Sequence, residues 1–150
     1  MLGDARLSLQ NEAPQEFDVL AVDAFSGDAI PVHLLTREAF ALYLRHLKPD
    51  GVLAVHTSNS YLNLPPVVQL LASEAGCDAQ MITNDDNHRK LIDSSDWVLV
   101  TRNQRFLDSI DTTVMIEPIE VPPGLRAWTD DFNNLFQILR PVKFKQSSPR

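Results

Sequence analysis

The sequence predicts an α/β domain built on a mostly parallel sheet with one antiparallel edge strand. Three observations lead there. Short, partly β-branched apolar runs recur at 17–23, 52–55, 79–83 and 97–100, and runs of this kind read as strands covered on both faces. Between the first three lie segments with the period of an amphipathic helix. Between the third and fourth lies only the polar stretch Asn84 to Ser95. A loop in place of a helix makes that last pair antiparallel, an edge arrangement common on otherwise parallel sheets.

Taken in order, Gly3-Asp4-Ala5-Arg6 reads as a turn after a strand represented by Met1 and Leu2 alone, so the chain opens like the middle of a domain. Leu7 and Leu9 form the apolar side of a short segment, and Asn11 to Glu16 is a polar connection containing Pro14. Phe17 to Val22, interrupted only by Asp18, reads as a central strand that ends in Asp23 and opens into a loop carrying Ser26, Gly27 and Asp28. Thr36 is expected to cap a helix with Glu38 in its first turn, and Phe40, Tyr43, Leu44 and Leu47 fall on one face of it. Pro49-Asp50-Gly51 is expected to stop that helix and turn the chain into the strand Val52 to Val55. Strand, helix and strand at this spacing make a right-handed parallel crossover.

Asn63 is placed as the cap of a second helix, with Pro65 in its first turn, running to Gly76. Gln104 to Ile110 reads as a short helix and Thr113 to Ile116 as a brief apolar run before a connection rich in proline. Thr129 is expected to cap a last helix with Asp130 and Asp131 in its first turn and Phe132, Leu135, Phe136 and Leu139 on one face, ended by Pro141. Lys143 to Arg150 reads as a disordered tail, which leaves residues 1–142 as the domain.

A length of 150 residues suffices for one core. A formal net charge of −7, with no basic stretch to contact phosphates, argues against nucleic acid and favours approach of cationic substrates. Cys77 is the only cysteine, so neither an intrachain disulfide nor a cysteine metal cluster is expected. The opening MLGDARLSLQ is unlike a signal peptide and no apolar run reaches membrane-spanning length. The expectation is a soluble cytoplasmic protein with no membrane segment in this chain.

Asp4, Asp23, Asp28, His56 and Asn59 fall near strand ends, where open α/β sheets bind their ligands. Carboxylates there can hold an amine or a ribose, or take a proton from a nucleophile. For Asp23 the plainer alternative is a loop cap through its side-chain oxygens. Ser26 with His56 could suggest hydrolysis, but the G-x-S-x-G elbow is missing. Asp85, Asp86 and His88 could bind a metal, although a polar cluster of this size in a loop is more often solvated surface; no metal is expected. His33 and His46 read as turn and helix-surface residues. Tyr61 is a candidate for the substrate pocket, against the commoner role of an aromatic packed beside a helix start.

The segments FDVLAVDAFSGDAIP, LLTREAFALYLRHLKPDGVLAVHTSN and WTDDFNNLFQIL, in this order and spacing, resemble the spermidine synthase-like (aminopropyltransferase) proteins, including versions fused to membrane transporter domains. The resemblance covers nearly all of residues 3–140. It implies the Rossmann-like fold of class I S-adenosylmethionine-dependent methyltransferases and a transferase of polyamine biosynthesis, moving an aminopropyl group from decarboxylated S-adenosylmethionine to putrescine. No tightly bound cofactor is implied, the sulfonium nucleotide being a co-substrate. In the family a D-x-x-D-P-like segment supplies the acid that helps activate the amine, and Asp23 matches it, at the side of the nucleotide. Asp28 matches the second, substrate-holding acid only loosely, because AFSGDAIP is longer and differently composed. The family's G-D-x segment contacts the adenine, which assigns Asp4 and Ala5 to the nucleotide.

The family's first strand, its glycine-rich loop and the acid ending its second strand have no counterpart in these residues, since Met1 lies just before the Gly3-Asp4 match. The resemblance therefore implies a partial domain: a fragment, a mis-started reading frame, or a remnant whose strand at 17–23 is an open edge covered by a second copy or by another N-terminal segment. Three readings stay open: an aminopropyltransferase-type domain, a methyltransferase-like domain using S-adenosylmethionine, and a noncatalytic structural or interaction domain.

Overall fold

The computed structural model describes residues 4–23, 31–85, 94–110 and 115–140. Ser26, Gly27, Asp28, Asp86, His88 and the expected tail at 143–150 lie outside the described residues. The elements are α1 (Ala5–Gln10), β1 (Phe17–Val22), α2 (Arg37–His46), β2 (Leu47–His56), α3 (Pro65–Glu74), β3 (Asp78–Asn84), β4 (Ser95–Thr101), α4 (Gln104–Asp108) and β5 (Met115–Glu117), with 3₁₀ turns at Val32–Leu34 and Leu135–Ile138.

The strands form one mixed sheet in the order β1-β2-β4-β3-β5. β1 pairs with β2 in parallel, and β4 runs antiparallel to both β2 and β3, as the loop-linked pair predicts. The expectation of a mostly parallel sheet with an antiparallel edge is corrected in two ways. β1, β2 and β3 share a direction, but β4 is inserted between β2 and β3, so β1·β2 is the one parallel pairing among the described strands. The edges are instead β1 and β5, the latter a short strand antiparallel to β3. β1 is likewise not a strand covered on both faces: Val22 packs into the core, whereas Val19 is 60% exposed. Nothing among the described residues pairs with its outer side.

Helices α2 and α3 touch each other and pack on the same side of the sheet. The alternation of strand side chains sends Leu53, Val55, Val98 and Val100 under these helices, against Phe40, Tyr43, Val67, Val68 and Leu71. Thr36 caps α2 as expected, its Oγ1 accepting from Ala39 N at 3.2 Å. Asn63 does not cap α3. Leu64 holds that position without a side-chain bond, and prolines occupy the first turn, where N–H groups would lack intrahelical partners anyway. His46 is fully buried rather than on the helix surface, and its Nε2 donates to Leu9 O at 2.9 Å.

The expected turn at Pro49-Asp50-Gly51 is absorbed into β2, which starts directly after α2. Phe17 faces Leu47 and Val19 faces Val52, so the surplus residues of β2 bulge out between these pairs. Gly51 sits where the chains come closest. A Cβ there would lie 2.9 Å from Phe17 O, 3.1 Å from Lys48 O and 3.2 Å from Asp18 O. Three backbone carbonyls cannot all retreat without disturbing the pairing.

The expected last helix is a 3₁₀ turn of four residues. The cause is tertiary. Asp130 is held by Arg6, whose Nη1 donates to Oδ1 at 2.7 Å and Nη2 to Oδ2 at 2.5 Å, and by Thr36 Oγ1, which donates to Oδ1 at 2.8 Å. Thr129 and Phe132 close a tight backbone bridge around it, and the Phe132 ring lies under Arg126. With its first turn spent this way, the segment buries Ile138 and leaves Phe136 exposed. Arg6 also donates to His33 O at 2.7 Å, so one guanidinium ties α1, the entry to α2 and the C-terminal segment.

Two outcomes follow from these contacts. Gly51→Ala should cost about 1–3 kcal/mol, as overpacking does, read as a lower urea midpoint at unchanged slope. For Asp130, hydrogen bonding to Arg6 holds the carboxyl below its usual range. A depressed folded-state pKa gives stability present above the unfolded value, about 3.9, and lost as pH falls through the folded value. Asp130→Asn should therefore lower the melting temperature at pH 7 and narrow the difference between pH 7 and pH 3, followed by circular dichroism.

Candidate functional site

β1 and β2 end side by side, with Val22 opposite Val55. The next residue on each strand therefore meets its neighbour. Asp23 Oδ1 accepts from His56 Nδ1 at 2.7 Å, and His56 Nε2 lies 2.8 Å from Ser58 Oγ. Ser58 Oγ in turn accepts from Asp96 N at 2.8 Å. Donors and acceptors match along the whole chain when the imidazole is neutral with its proton on Nδ1, Ser58 then donating to Nε2. Trp97, the cross-strand partner of His56 on β4, stacks on the imidazole with ring centroids 4.9 Å apart and planes at 23°. The stack and the two hydrogen bonds together fix the plane of the ring.

The Asp23 carboxylate is 57% exposed and faces the side of the sheet opposite α2 and α3. One of its oxygens is engaged by His56. Oδ2 makes no hydrogen bond among the described residues. Such a carboxylate, with one oxygen anchored and the other open, can orient an ammonium or accept a proton. A recess of about 270 Å³ lined by Ser58, Asn59, Ser60, Ser94, Ser95 and Asp96 opens beside the relay.

The other expected site residues are not gathered here. Asp4 caps α1, accepting from Arg6 N at 2.8 Å and Leu7 N at 3.1 Å, while its Oδ2 is 2.8 Å from His33 Nε2. These bonds, to Leu7 foremost, hold its carboxyl below the usual range. From Asp4 on, that stretch thus starts a helix and is not a bare turn, with Ala5 as the first helical residue; Gly3 lies outside the described residues. Asp28 lies outside the described residues. Tyr61 is exposed and lines a larger cavity on the helix-covered face, one that includes neither Asp23 nor His56. Among the described residues no three His, Cys, Asp or Glu side chains converge to hold a metal, and no helix is long and apolar enough to cross a membrane.

Ser58 and Trp97 carried no sequence signal for the site, and His56 was one polar residue among several at strand ends. The register that places β4 beside β2 is what selects them, and it is not written in any local stretch.

No protein-family model matches the chain. Over 57 residues, which is 37% of this chain and 19% of the relative, it is 39% identical to a polyamine aminopropyltransferase of Vibrio vulnificus (strain CMCP6). The crystal structure of a probable spermidine synthase from Corynebacterium glutamicum ATCC 13032 superposes with a TM-score of 0.50 at 21% identity, covering 67% of this chain and 36% of that one. The matched parts amount to about a fifth and a third of these relatives' own lengths. That structural likeness bears on the fold, and the identical residues on a shorter segment; together they make the chain similar, over part of its length, to the spermidine synthase-like family.

Proposed function

We propose that the Asp23 mouth serves alkyl transfer from a sulfonium nucleotide to an amine, in an aminopropyl transfer from decarboxylated S-adenosylmethionine to putrescine. In this reading the sheet is the Rossmann-like sheet of the methyltransferase fold, and β1 and β2 supply its amine-side mouth. Asp23 Oδ2 takes a proton from the bound ammonium and releases it to solvent. The freed nitrogen lone pair attacks the aminopropyl carbon bonded to sulfur, the C–S bond breaks, and sulfur keeps the electron pair as a neutral thioether. His56 holds Oδ1 and so aims Oδ2. It is a positioning residue.

The observation that carries the reading is the 2.7 Å bond from His56 to a carboxylate left open at a parallel strand end. The match to an aminopropyltransferase supports the same class of reaction. Asp4 enters the reading through its family position alone, since its carboxylate is engaged as a helix cap. Asp28, by the same match, is proposed to hold the far end of the diamine.

The test joins this chain to an upstream glycine-rich nucleotide-binding segment and measures spermidine formation with nucleotide binding. Asp23→Asn should reduce turnover about 10²- to 10³-fold, the range of general-base assistance, with the fold intact. Unchanged turnover would remove Asp23 from the mechanism. Nucleotide binding without spermidine formation in the parent would favour methyl transfer, and neither would favour a noncatalytic domain.

The outer edge of β1 belongs to the same proposal. Unpaired edges with exposed apolar side chains invite pairing, so the chain should shield β1 through a second copy or another segment. Light scattering should report a dimer, or amide exchange along 17–22 should be slow in a monomer. A monomer whose β1 amides exchange rapidly would refute this.

A further inference from the structure

The relay at the strand ends has a third member that the transfer reading leaves unused. Ser58 Oγ lies 2.8 Å from His56 Nε2, and His56 Nδ1 lies 2.7 Å from Asp23 Oδ1. A hydroxyl, an imidazole and a carboxylate bonded in this order are the nucleophile, base and orienting acid of serine hydrolases. Such sites are recognised by geometry and not by the order of residues in the chain.

Ser58 is also anchored from the neighbouring strand. Thr57 N donates to Asp96 O at 2.8 Å, and Asp96 N donates to Ser58 Oγ at 2.8 Å. The backbone of β4 thus holds the hydroxyl just beyond the end of β2. A backbone N–H on Oγ favours the anionic form of that oxygen, and the hydroxyl can accept this bond while donating its own proton to Nε2. The Ser58 N–H makes no hydrogen bond among the described residues. In serine hydrolases the nucleophile's own N–H is one of the donors to the oxyanion. An imidazolium formed on His56 is favoured by the Asp23 carboxylate and by the face of Trp97, 4.9 Å away.

The recess in front of Ser58 limits what can be attacked. Its volume is about 270 Å³, and it is lined by serines, Asn59 and Asp96. No aliphatic or aromatic side chain is there to cover a long acyl chain, and Asp96 disfavours an acidic one. We propose that Ser58 is the nucleophile of an ester-cleaving site for short-chain carboxylic esters. Oγ attacks the ester carbonyl carbon as its proton passes to His56 Nε2. The tetrahedral carbon collapses, the C–O bond to the alcohol breaks, and the leaving oxygen takes the proton from Nε2. Water then gives a proton to Nε2, attacks the acyl carbon and releases the carboxylic acid as Oγ recovers its proton. This goes beyond the transfer reading. It shares Asp23 and His56 with that reading but needs no nucleotide, amine or upstream segment, so either can fail while the other stands.

The 150-residue chain is treated with methanesulfonyl fluoride, and separately its cleavage of p-nitrophenyl acetate and p-nitrophenyl hexanoate is followed. Peptide mass spectrometry should find the methylsulfonyl group on Ser58. Ser58→Ala and His56→Gln, each checked by circular dichroism, should cut acetate cleavage about 10²-fold or more, the scale of general-base assistance. His56→Gln should also slow the labelling of Ser58, which remains present in that variant. The acetate should be cleaved faster than the hexanoate. Should Ser58→Ala not fold, the labelled residue and the His56→Gln comparison decide alone. The proposal is overturned if no label is taken up, if the label falls on another residue, if a folded Ser58→Ala or His56→Gln chain cleaves the acetate as fast as the parent, or if the hexanoate is cleaved as fast as the acetate.

Discussion

The register in which β1 lies against β2 decides what the chain can do. With Val22 opposite Val55, Asp23 falls beside His56. A slip of one residue would send Asp23 to the helix-covered face and Val22 to solvent, because strand side chains alternate. The register is set at the other end of the pair, where β2 accommodates extra residues after Phe17↔Leu47. Only a residue without a side chain fits under three carbonyls there, and Thr101 Oγ1 fixes the spot further by donating to Gly51 O at 2.8 Å. A glycine at the N-terminal end of the strand pair thus governs geometry at its C-terminal end, where ligands of α/β sheets bind.

A second constraint joins parts distant in sequence. Arg6 bonds Asp130, His33 O and, at 3.4 Å, Thr36 Oγ1, while Arg37 N donates to Trp128 O at 2.9 Å. The fully buried Trp128 is pinned on the core by contacts that begin with the first described helix. This explains which parts of the fold were legible in the sequence. α2 was, because Thr36 and the spacing of Phe40 and Tyr43 are local signals that tertiary structure only reinforces. The last helix was not, because Asp130 is a good first-turn residue in isolation and a better partner for Arg6 in the fold. Propensity yields where a bidentate ion pair and a hydroxyl compete for the same carboxylate.

The sheet shows the same division. Strand positions and the antiparallel sense of β4 could be read from the apolar runs and from the polar, aperiodic sequence between 84 and 95. The place of β4 inside the sheet could not, since it rests on the pairing of β4 with β2, two strands distant in sequence. The relay from Asp23 to Ser58 depends on that order, because both Trp97 and Asp96 N come from β4. Asp23 was legible as a strand-end acid and His56 as a neighbour in type; their bond was not, being a product of register.

With a formal net charge of −7, the protein attracts cations before any specific contact forms. In the proposed reaction the mouth does something harder than attract. A primary aliphatic amine titrates near 10, as a lysine does, so at pH 7 only about one molecule in a thousand has a free lone pair. In that proposal Asp23 holds the amine where its lone pair, once bare, points at the electrophilic carbon, and receives the proton over a short distance. Both depend on Oδ2 keeping its direction, which the His56 bond to Oδ1 and the Trp97 stack beneath the imidazole provide. Orientation enters the rate through proximity and alignment more than through basicity, and in this mouth orientation is what the β1–β2–β4 register supplies.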